Sequence, residues 1–429
     1  MDETTNVMDP ELAAIQARQM VIYKRVIVIA ALLIIAVVGQ ALLLPIIGFG
    51  QERYMRMMPT DVFLTYNFDS GAVFYSNDSR DFFFVTRDGV RRILHNGEVD
   101  WNHTQRFTRP VINGRGDFFA VGEVDRGRNI SVFNTSGHVF TSTFENPVLS
   151  FNINDTGFLT AIVRAPAAYE IFVLNNAAHD ATEMGSVLYM RVVGEQGLHF
   201  PTFAEVSPDG RFLVTATVDL TYHLSTILEF RFVNEADSWD FAQGLFGATT
   251  FNGELVTSMR FMSNNRLIVT TTSRIICFQI GPNHAEWNEV WSIRLENELS
   301  HVGFYSNTHI IFVTGDRLLG LESGDPVGTV RIFNVNGVES GSFSLGRRVT
   351  HLSVGNNAVI IGSDRNFHAL DIRGNPMWEH TLHQDSRDFM FLEDTNTVLV
   401  VGSTRADIMR RRRLRNDEIE NLPPIGIFQ

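Results

Sequence analysis

Two patterns of apolar residues organise this chain. The first is one unbroken run. Residues 26–49 read VIVIAALLIIAVVGQALLLPIIGF, 24 residues without a charge, bounded by Lys24 and Arg25 before and Glu52 and Arg53 after. About 20 such residues suffice for a helix to cross the hydrocarbon core, so the run predicts a transmembrane helix. Gln40 and Pro45 are its only interruptions, and Pro45 lies near the far end, where freed carbonyls reach the interface. A cleaved signal peptide is the alternative, but its apolar region is usually ~7 to 15 residues, shorter than this one. Arg18, Lys24 and Arg25 precede the run and Arg53 and Arg56 follow it, a small excess that favours a cytoplasmic N-terminus. Residues 9–24 read as a short helix, with Asp9 as N-cap and Pro10 at its first position.

The second pattern is a five-residue apolar segment that recurs along the rest of the chain. Its copies are FFFVT from Phe82, FFAVG from Phe118, FLTAI from Phe158, FLVTA from Phe212, LIVTT from Leu267, IIFVT from Ile310, AVIIG from Ala358 and VLVVG from Val398. The spacings run from 36 to 55 residues, around the ~40 to 50 of a four-stranded propeller blade. β-branched and aromatic residues dominate these segments, and no helical periodicity of useful length follows residue 60.

Polar turns punctuate the repeat. NINDTG precedes Phe158, VSPDG precedes Arg211 and VGNN precedes Ala358, each a hairpin signature. After each pentad a second hairpin carries Asn or Asp three residues before Gly, as in Asn134 and Gly137, Asn334 and Gly337, and Asp371 and Gly374. The unit is therefore four antiparallel strands. Such a unit cannot bury both faces alone, and a closed ring removes the open flanks of a linear array. The expected fold is all-β: a β-propeller of eight four-stranded blades, or seven if the first and last partial units share one, behind a single N-terminal transmembrane helix. The pentads are expected to be the innermost strands, with Gly122, Ala216, Thr271, Gly362 and Gly402 fitting the crowded channel. The last copy lacks an outer strand after Ile408, which a segment near residues 62–68 is expected to supply. The long spacings near 175–200 and 234–253 predict extended loops.

Composition narrows the chemistry. The formal net charge is −13, nearly all of it after the apolar run, which argues against a nucleic-acid partner. Cys277 is the single cysteine, excluding intramolecular disulfides and Cys-rich metal sites. Its neighbours Ile276 and Phe278 predict a buried, inert thiol. His380 and His383 stand three apart, which in a strand sends them to opposite faces. Asn67, Asp69 and Gly71 hint at a calcium loop, but no acid stands at the twelfth position. A turn is the better reading. No G-x-S-x-G or Walker A sequence occurs. Sequons such as Asn102-His103-Thr104 bear on function only in a eukaryotic secretory context. The densest charge feature is Arg410, Arg411, Arg412, Arg413 and Arg415. It is a candidate contact for anionic headgroups or wall polymers, or else a solvated strand balanced by Asp417, Glu418 and Glu420.

The segment ALDIRGNPMW from Ala369 is similar to the strand-turn-strand of quinoprotein-like propeller repeats. Ser207-Pro208-Asp209-Gly210 resembles the hairpin turn of WD40-like and TolB-like propellers. The whole layout, with RRILHNGEVDW, NISVFNTSGHVF and FENPVLSFNINDTGFLTAIV after the anchor, resembles a mainly Gram-positive bacterial family of membrane-anchored propellers of unknown function. That resemblance covers about residues 60–405. It implies fold and topology and transfers no catalytic residue. With one cysteine the chain cannot form the vicinal disulfide often used by quinone-binding members, so the likeness is to the non-enzymatic branch.

The expected organisation is a cytoplasmic tail at 1–25, a transmembrane helix at 26–49, a linker at 50–61, the propeller at 62–404 and a basic tail at 405–429. The expected role is a non-enzymatic scaffold outside the cytoplasm, anchored in the cell membrane, that binds a protein or cell-wall partner and needs no cofactor. The alternative is a hydrolase or lyase acting on envelope carbohydrate, with Glu123, Asp125 and Asp219 converging at one end of the ring. Ligand sensing is a third reading, set back by a tail too short for an output domain.

Overall fold

The eight apolar pentads become eight strands, each second in its own four-stranded antiparallel sheet. These sheets are the blades of an eight-bladed propeller in a computed structural model. It describes residues 55–67, 71–77, 81–175, 185–194, 198–221, 223–233, 244–281, 286–315, 328–363, 365–382 and 385–414. The apolar run at 26–49 lies outside them, as do Asp69, His383 and Arg415. Among the described residues no helix is long and apolar enough to cross a membrane. Contacts divide the chain into two units, the propeller Met58–Arg410, and Met1–Met57 with Arg411–Gln429.

The first strand is β1 (Met55–Thr65). Blade 1 is then β2 (Val73–Tyr75), β3 (Phe82–Thr86), β4 (Gly89–Ile93) and β5 (Val99–Thr104). Blade 2 is β6 (Val111–Arg115), β7 (Phe118–Gly122), β8 (Asn129–Asn134) and β9 (Gly137–Thr143). Blade 3 is β10 (Val148–Ile153), β11 (Leu159–Arg164), β12 (Tyr169–Leu174) and β13 (Val187–Val193). Blade 4 is β14 (His199–Val206), β15 (Phe212–Asp219), β16 (Ser225–Phe232) and β17 (Leu245–Asn252). Blade 5 is β18 (Val256–Ser263), β19 (Arg266–Thr271), β20 (Arg274–Ile280) and β21 (Trp287–Arg294). Blade 6 is β22 (Leu299–Tyr305), β23 (His309–Thr314), β24 (Thr329–Asn334) and β25 (Glu339–Ser344). Blade 7 is β26 (His351–Gly355), β27 (Ala358–Ser363), β28 (Asn366–Asp371) and β29 (Pro376–Thr381). Blade 8 joins β30 (Asp388–Phe391), β31 (Thr397–Val401) and β32 (Arg405–Arg413) to β1 as its fourth strand.

The ring thus closes through its first strand, as the missing outer strand required, although the closing segment starts earlier than residue 62. Thr60 Oγ1 donates to the carbonyl of Ile408 at 2.9 Å and Tyr66 Oη to that of Gly402 at 2.7 Å. Residues 405–413, expected to open a basic tail, are strand β32. Ala406 and Ile408 bury their side chains in the apolar cluster between blades 8 and 1, which holds that segment in the sheet.

One expectation is corrected. The pentads are not the innermost strands. The first strands touch one another from blade to blade, β2 with β6, β10 with β14, β14 with β18 and β22 with β26, and so surround the axis. The second strands have a paired neighbour on each side and a blade over each face, which is why nearly every position is apolar and buried, as in Leu267 to Thr271 and Ala358 to Ser363. First strands border the channel and carry mixed residues of intermediate burial, as in LSHVGFY of β22. The crowding at the axis falls instead on Gly114 and Gly303, where a Cβ would lie 2.3 Å from the Tyr75 ring and 2.6 Å from Val354 Cγ2. Gly362 instead makes room for an aromatic ring of its own blade, since a Cβ there would meet Phe367 at 2.3 Å.

The core lies between blades. Among the described residues seven apolar clusters each straddle one adjacent pair, for example Phe230 and Phe278 between blades 4 and 5, and Phe83 and Phe119 between blades 1 and 2. Each fully buried Phe stabilises the fold by about 1.5–3 kcal/mol. Three tryptophans tie neighbours together: Nε1 of Trp101 donates to the Thr135 carbonyl, that of Trp291 to Val335 and that of Trp378 to Thr395, at 2.9–3.1 Å. The polar turns work as their residues suggest. Asp371 Oδ1 accepts from the amides of Arg373 and Asn375 at 2.8 and 2.9 Å, and Gly374 takes φ +79°. Residues 187–193 and 245–252, expected within long loops, are the outer strands of blades 3 and 4. Most of the connections before them lies outside the described residues.

Candidate functional site

The first strands place polar side chains around the axis at the end of the channel that carries the first hairpin turns. A cavity of ≈ 460 Å³ is walled by Asn113, Asn152, Glu205, Arg260 and Phe304 among others. A second, also ≈ 460 Å³, shares Arg115, Arg260 and Phe304 and reaches the turns at Asp155 and Asn307. Asn152 and Glu205 hold the same station in their blades, two residues before the turns that open at Asn154 and Ser207. The turns themselves interlock. Asn154 Oδ1 accepts from the Thr156 and Phe158 amides, and Thr156 Oγ1 donates to the Pro208 carbonyl of the next blade at 2.7 Å.

Glu205 is the hub. Its side chain is 2% exposed, and Oε1 accepts from Arg115 Nη1 at 2.5 Å while Oε2 accepts from Asn152 Nδ2. Strands from blades 2, 3 and 4 thereby converge on one carboxylate. Charge-assisted bonds are the strong kind, and both oxygens of this buried acid are engaged.

Arg260 is different. Its guanidinium lies 5.2 Å from the Phe304 ring centroid, and Nη2 donates to the Ser306 carbonyl at 3.4 Å, but among the described residues it has no ion pair. Burial, then the charge of Arg115, push its pKa down to about 9, while Glu205 and Asp155 pull it back up. Asp155 Oδ2 accepts from Asn307 Nδ2 at 3.4 Å, and Oδ1 has no partner. These side chains give the cavity a charged lining. It offers no activated nucleophile, and among the described residues no group of three or more His, Cys, Asp or Glu side chains could hold a metal.

The carboxylates expected to converge do not meet. Glu123 accepts from the backbone amides of Thr108 and Arg109. Asp125 lies 3.8 Å from Arg164. Asp219 caps Thr221, whose hydroxyl and amide hold its carboxyl below the usual range, and sits 3.6 Å from His199 Nε2. Among the described residues no hydrogen bond links the three, and each has partners of its own.

Arg410 to Arg413 form the last residues of β32, and a strand sends alternate side chains to opposite sides. Arg410 lies 3.8 Å from Glu393 and 3.4 Å from Thr397 Oγ1. Arg412 donates to the carbonyl of Arg413 at 3.3 Å. His380 lies in β29, while its expected mate His383 is outside the described residues, as is part of the Asn67 to Gly71 segment. Cys277 is fully buried, and burial pushes its thiol up to about 11, so it is no nucleophile at neutral pH.

The channel charges were missed in the sequence because each stands alone there. The one available signal was a charged residue in an otherwise apolar hairpin strand, as in AEVSPDG and MRFMSNN.

Comparison of structures places the chain among propellers. Sqt1 of Saccharomyces cerevisiae matches with a TM-score of 0.52 at 10% identity, over 83% of this chain and 100% of that one. BamB from Moraxella catarrhalis matches at TM-score 0.45 and 12% identity, over 83% and 100%. The beta-propeller domain of Cps50 (Swd1) from Myceliophteria thermophila matches at 0.45 and 11%, over 83% and 99%. Identity this low shows the fold alone. No curated protein sequence matches. A family model does match, over residues 61–410, and its description is a family of unknown function, DUF5711. A match across nearly the whole propeller makes this chain a member of the DUF5711 family.

Proposed function

We propose that this protein is held in the cell membrane by the helix at residues 26–49, with its N-terminus in the cytoplasm. The propeller stands outside and binds a protein or cell-envelope partner without catalysis. The observation that carries this reading is the 24-residue uncharged run directly ahead of an eight-bladed ring. The ring adds support in its outer surface. Val187, Met190 and Val192 on the outer strand of blade 3 are each about half exposed, at 54%, 48% and 50%, and exposed apolar groups of this kind favour a partner.

Two experiments test it. Affinity capture of the full chain from crosslinked native membranes, against an anchor lacking the propeller, should enrich a partner only with the propeller present. Failure to enrich any protein, together with no retention on isolated cell-wall polymer, would sink the scaffold reading. Orientation is read from single-cysteine variants at Asp2 and Val338 on a Cys277→Ser background. Val338 is 60% exposed, and an impermeant thiol reagent should label position 338 and spare position 2. The reverse pattern would overturn the orientation.

A further inference from the structure

The channel holds two opposite charges, Arg260 and Asp155, that among the described residues make no contact ion pair. Arg260 rests on Phe304 and makes one long bond to a carbonyl, and its Nε has no acceptor. Asp155 borders the same cavity and keeps one oxygen without a donor. They attract each other through space, but no ion pair joins them in contact among the described residues. The other acid and base that line these two cavities, Glu205 and Arg115, are already closed on each other at 2.5 Å. Enclosed charges and polar atoms without partners cost free energy, and native proteins rarely keep them without a use.

The balance of signs limits what fits. A simple anion seated on Arg260 would lie beside Asp155 and Glu205, and a polyanion would meet both acids. A cation faces the mirror problem at Arg260 and Arg115. A molecule that carries both signs answers both orphans at once. We propose that the channel binds a small zwitterion, a carboxylate that also bears an amine. The carboxylate lies on the Arg260 guanidinium, with Phe304 beneath, and the ammonium faces Asp155. Because Nε and Oδ1 are enclosed, the two side chains turn towards the ligand as it enters. The cavity of ≈ 460 Å³ admits a molecule of amino-acid size. This inference is independent of the envelope partner, which would meet the outside of the ring.

The test is calorimetric titration of the detergent-solubilised full chain with glycine, β-alanine, 4-aminobutanoate and 6-aminohexanoate, with butanoate and butylamine as single-charge probes. At least one amino acid should bind about tenfold more tightly than either single-charge probe, the equivalent of about 1.4 kcal/mol. Arg260→Gln should abolish binding and Asp155→Asn should weaken it by about tenfold. Thermal melts of both variants establish folding. If Arg260→Gln fails to fold, Arg260→Lys, which keeps the charge, and Asp155→Asn decide the matter. Absence of binding across the series, equal affinity for butanoate, or binding that Asp155→Asn leaves unchanged would overturn the proposal.

Discussion

Arg115 and Glu205 stand 90 residues apart in sequence and meet at 2.5 Å, joining the first strands of blades 2 and 4 across blade 3. The pair is mostly buried, with side chains 10% and 2% exposed at the cavity wall, so removing one partner leaves the other with little solvent to replace it. Glu205→Gln should therefore destabilise the propeller by about 3 kcal/mol, whereas the double variant Arg115→Met, Glu205→Leu should recover most of that loss. Chemical denaturation of the three chains gives the answer. Equal midpoints for wild type and Glu205→Gln would remove the hub from the account.

Acid should weaken the fold in two windows. His138 stacks on His103 with ring centroids 4.5 Å apart, and burial, then the charge of His103, hold its pKa below the ordinary 6.5. The folded state therefore resists a proton that the unfolded chain accepts, and stability declines as pH falls below 6.5. Glu229 follows lower down. Burial raises its pKa, but the hydrogen bond and charge of Arg191 and the charge of Arg231 outweigh that and leave it below 4.5. Its contribution is complete above 4.5 and is lost as pH falls through the lower folded value. Melting temperature against pH should show both declines. Burial also holds His309 and His368 below 6.5, so His138→Gln should shrink the first decline without removing it, and a first decline unchanged in that variant would assign it to the other two.

Cys277 offers an internal reporter. Its position between blades 5 and 6, with a thiol raised to about 11, should make it inert to an aqueous thiol reagent in the native chain and reactive once those blades separate. Labelling rate against denaturant should rise with the unfolding transition followed by tryptophan fluorescence. Labelling at full rate in buffer would mean that this interface opens on its own.

Closure should be worth measuring at its two side-chain bonds. Thr60→Val and Tyr66→Phe each remove one bond to the last blade, at Ile408 and Gly402, and each should cost about 1 kcal/mol. The two together should cost about 2 kcal/mol if the sites act independently. A double variant as stable as wild type would place closure in the backbone pairing of β1 with β32 and the apolar contacts of Val62 and Leu64.

Much of this architecture could be read without coordinates, because it is written in local pattern. The pentads mark strands, and Asn134, Asn334 and Asp371 mark turns by their own hydrogen bonds to the next amides. Eight pentads give eight blades. Position within a blade is less local: an apolar strand ending in small residues suits either a place covered on both faces or a crowded axis, and contact between β2 and β6 or β22 and β26 decides between them. The channel was not legible at all. Glu205 has its partners at Arg115 and Asn152, and nothing near any one of them announces the others.

The pairing of β1 with β32 also sets an order in time. Thr60 meets Ile408, a partner 348 residues further along, so an emerging chain makes its first propeller strand and must hold it unpaired until almost everything else has been synthesised. Blades 1 to 7 can each form as they leave the ribosome, but the ring stays open, with apolar flanks uncovered, until the last strand arrives. The nascent intermediate is thus the state most exposed to aggregation, and premature termination near residue 400 should yield an open array rather than a slightly shortened ring.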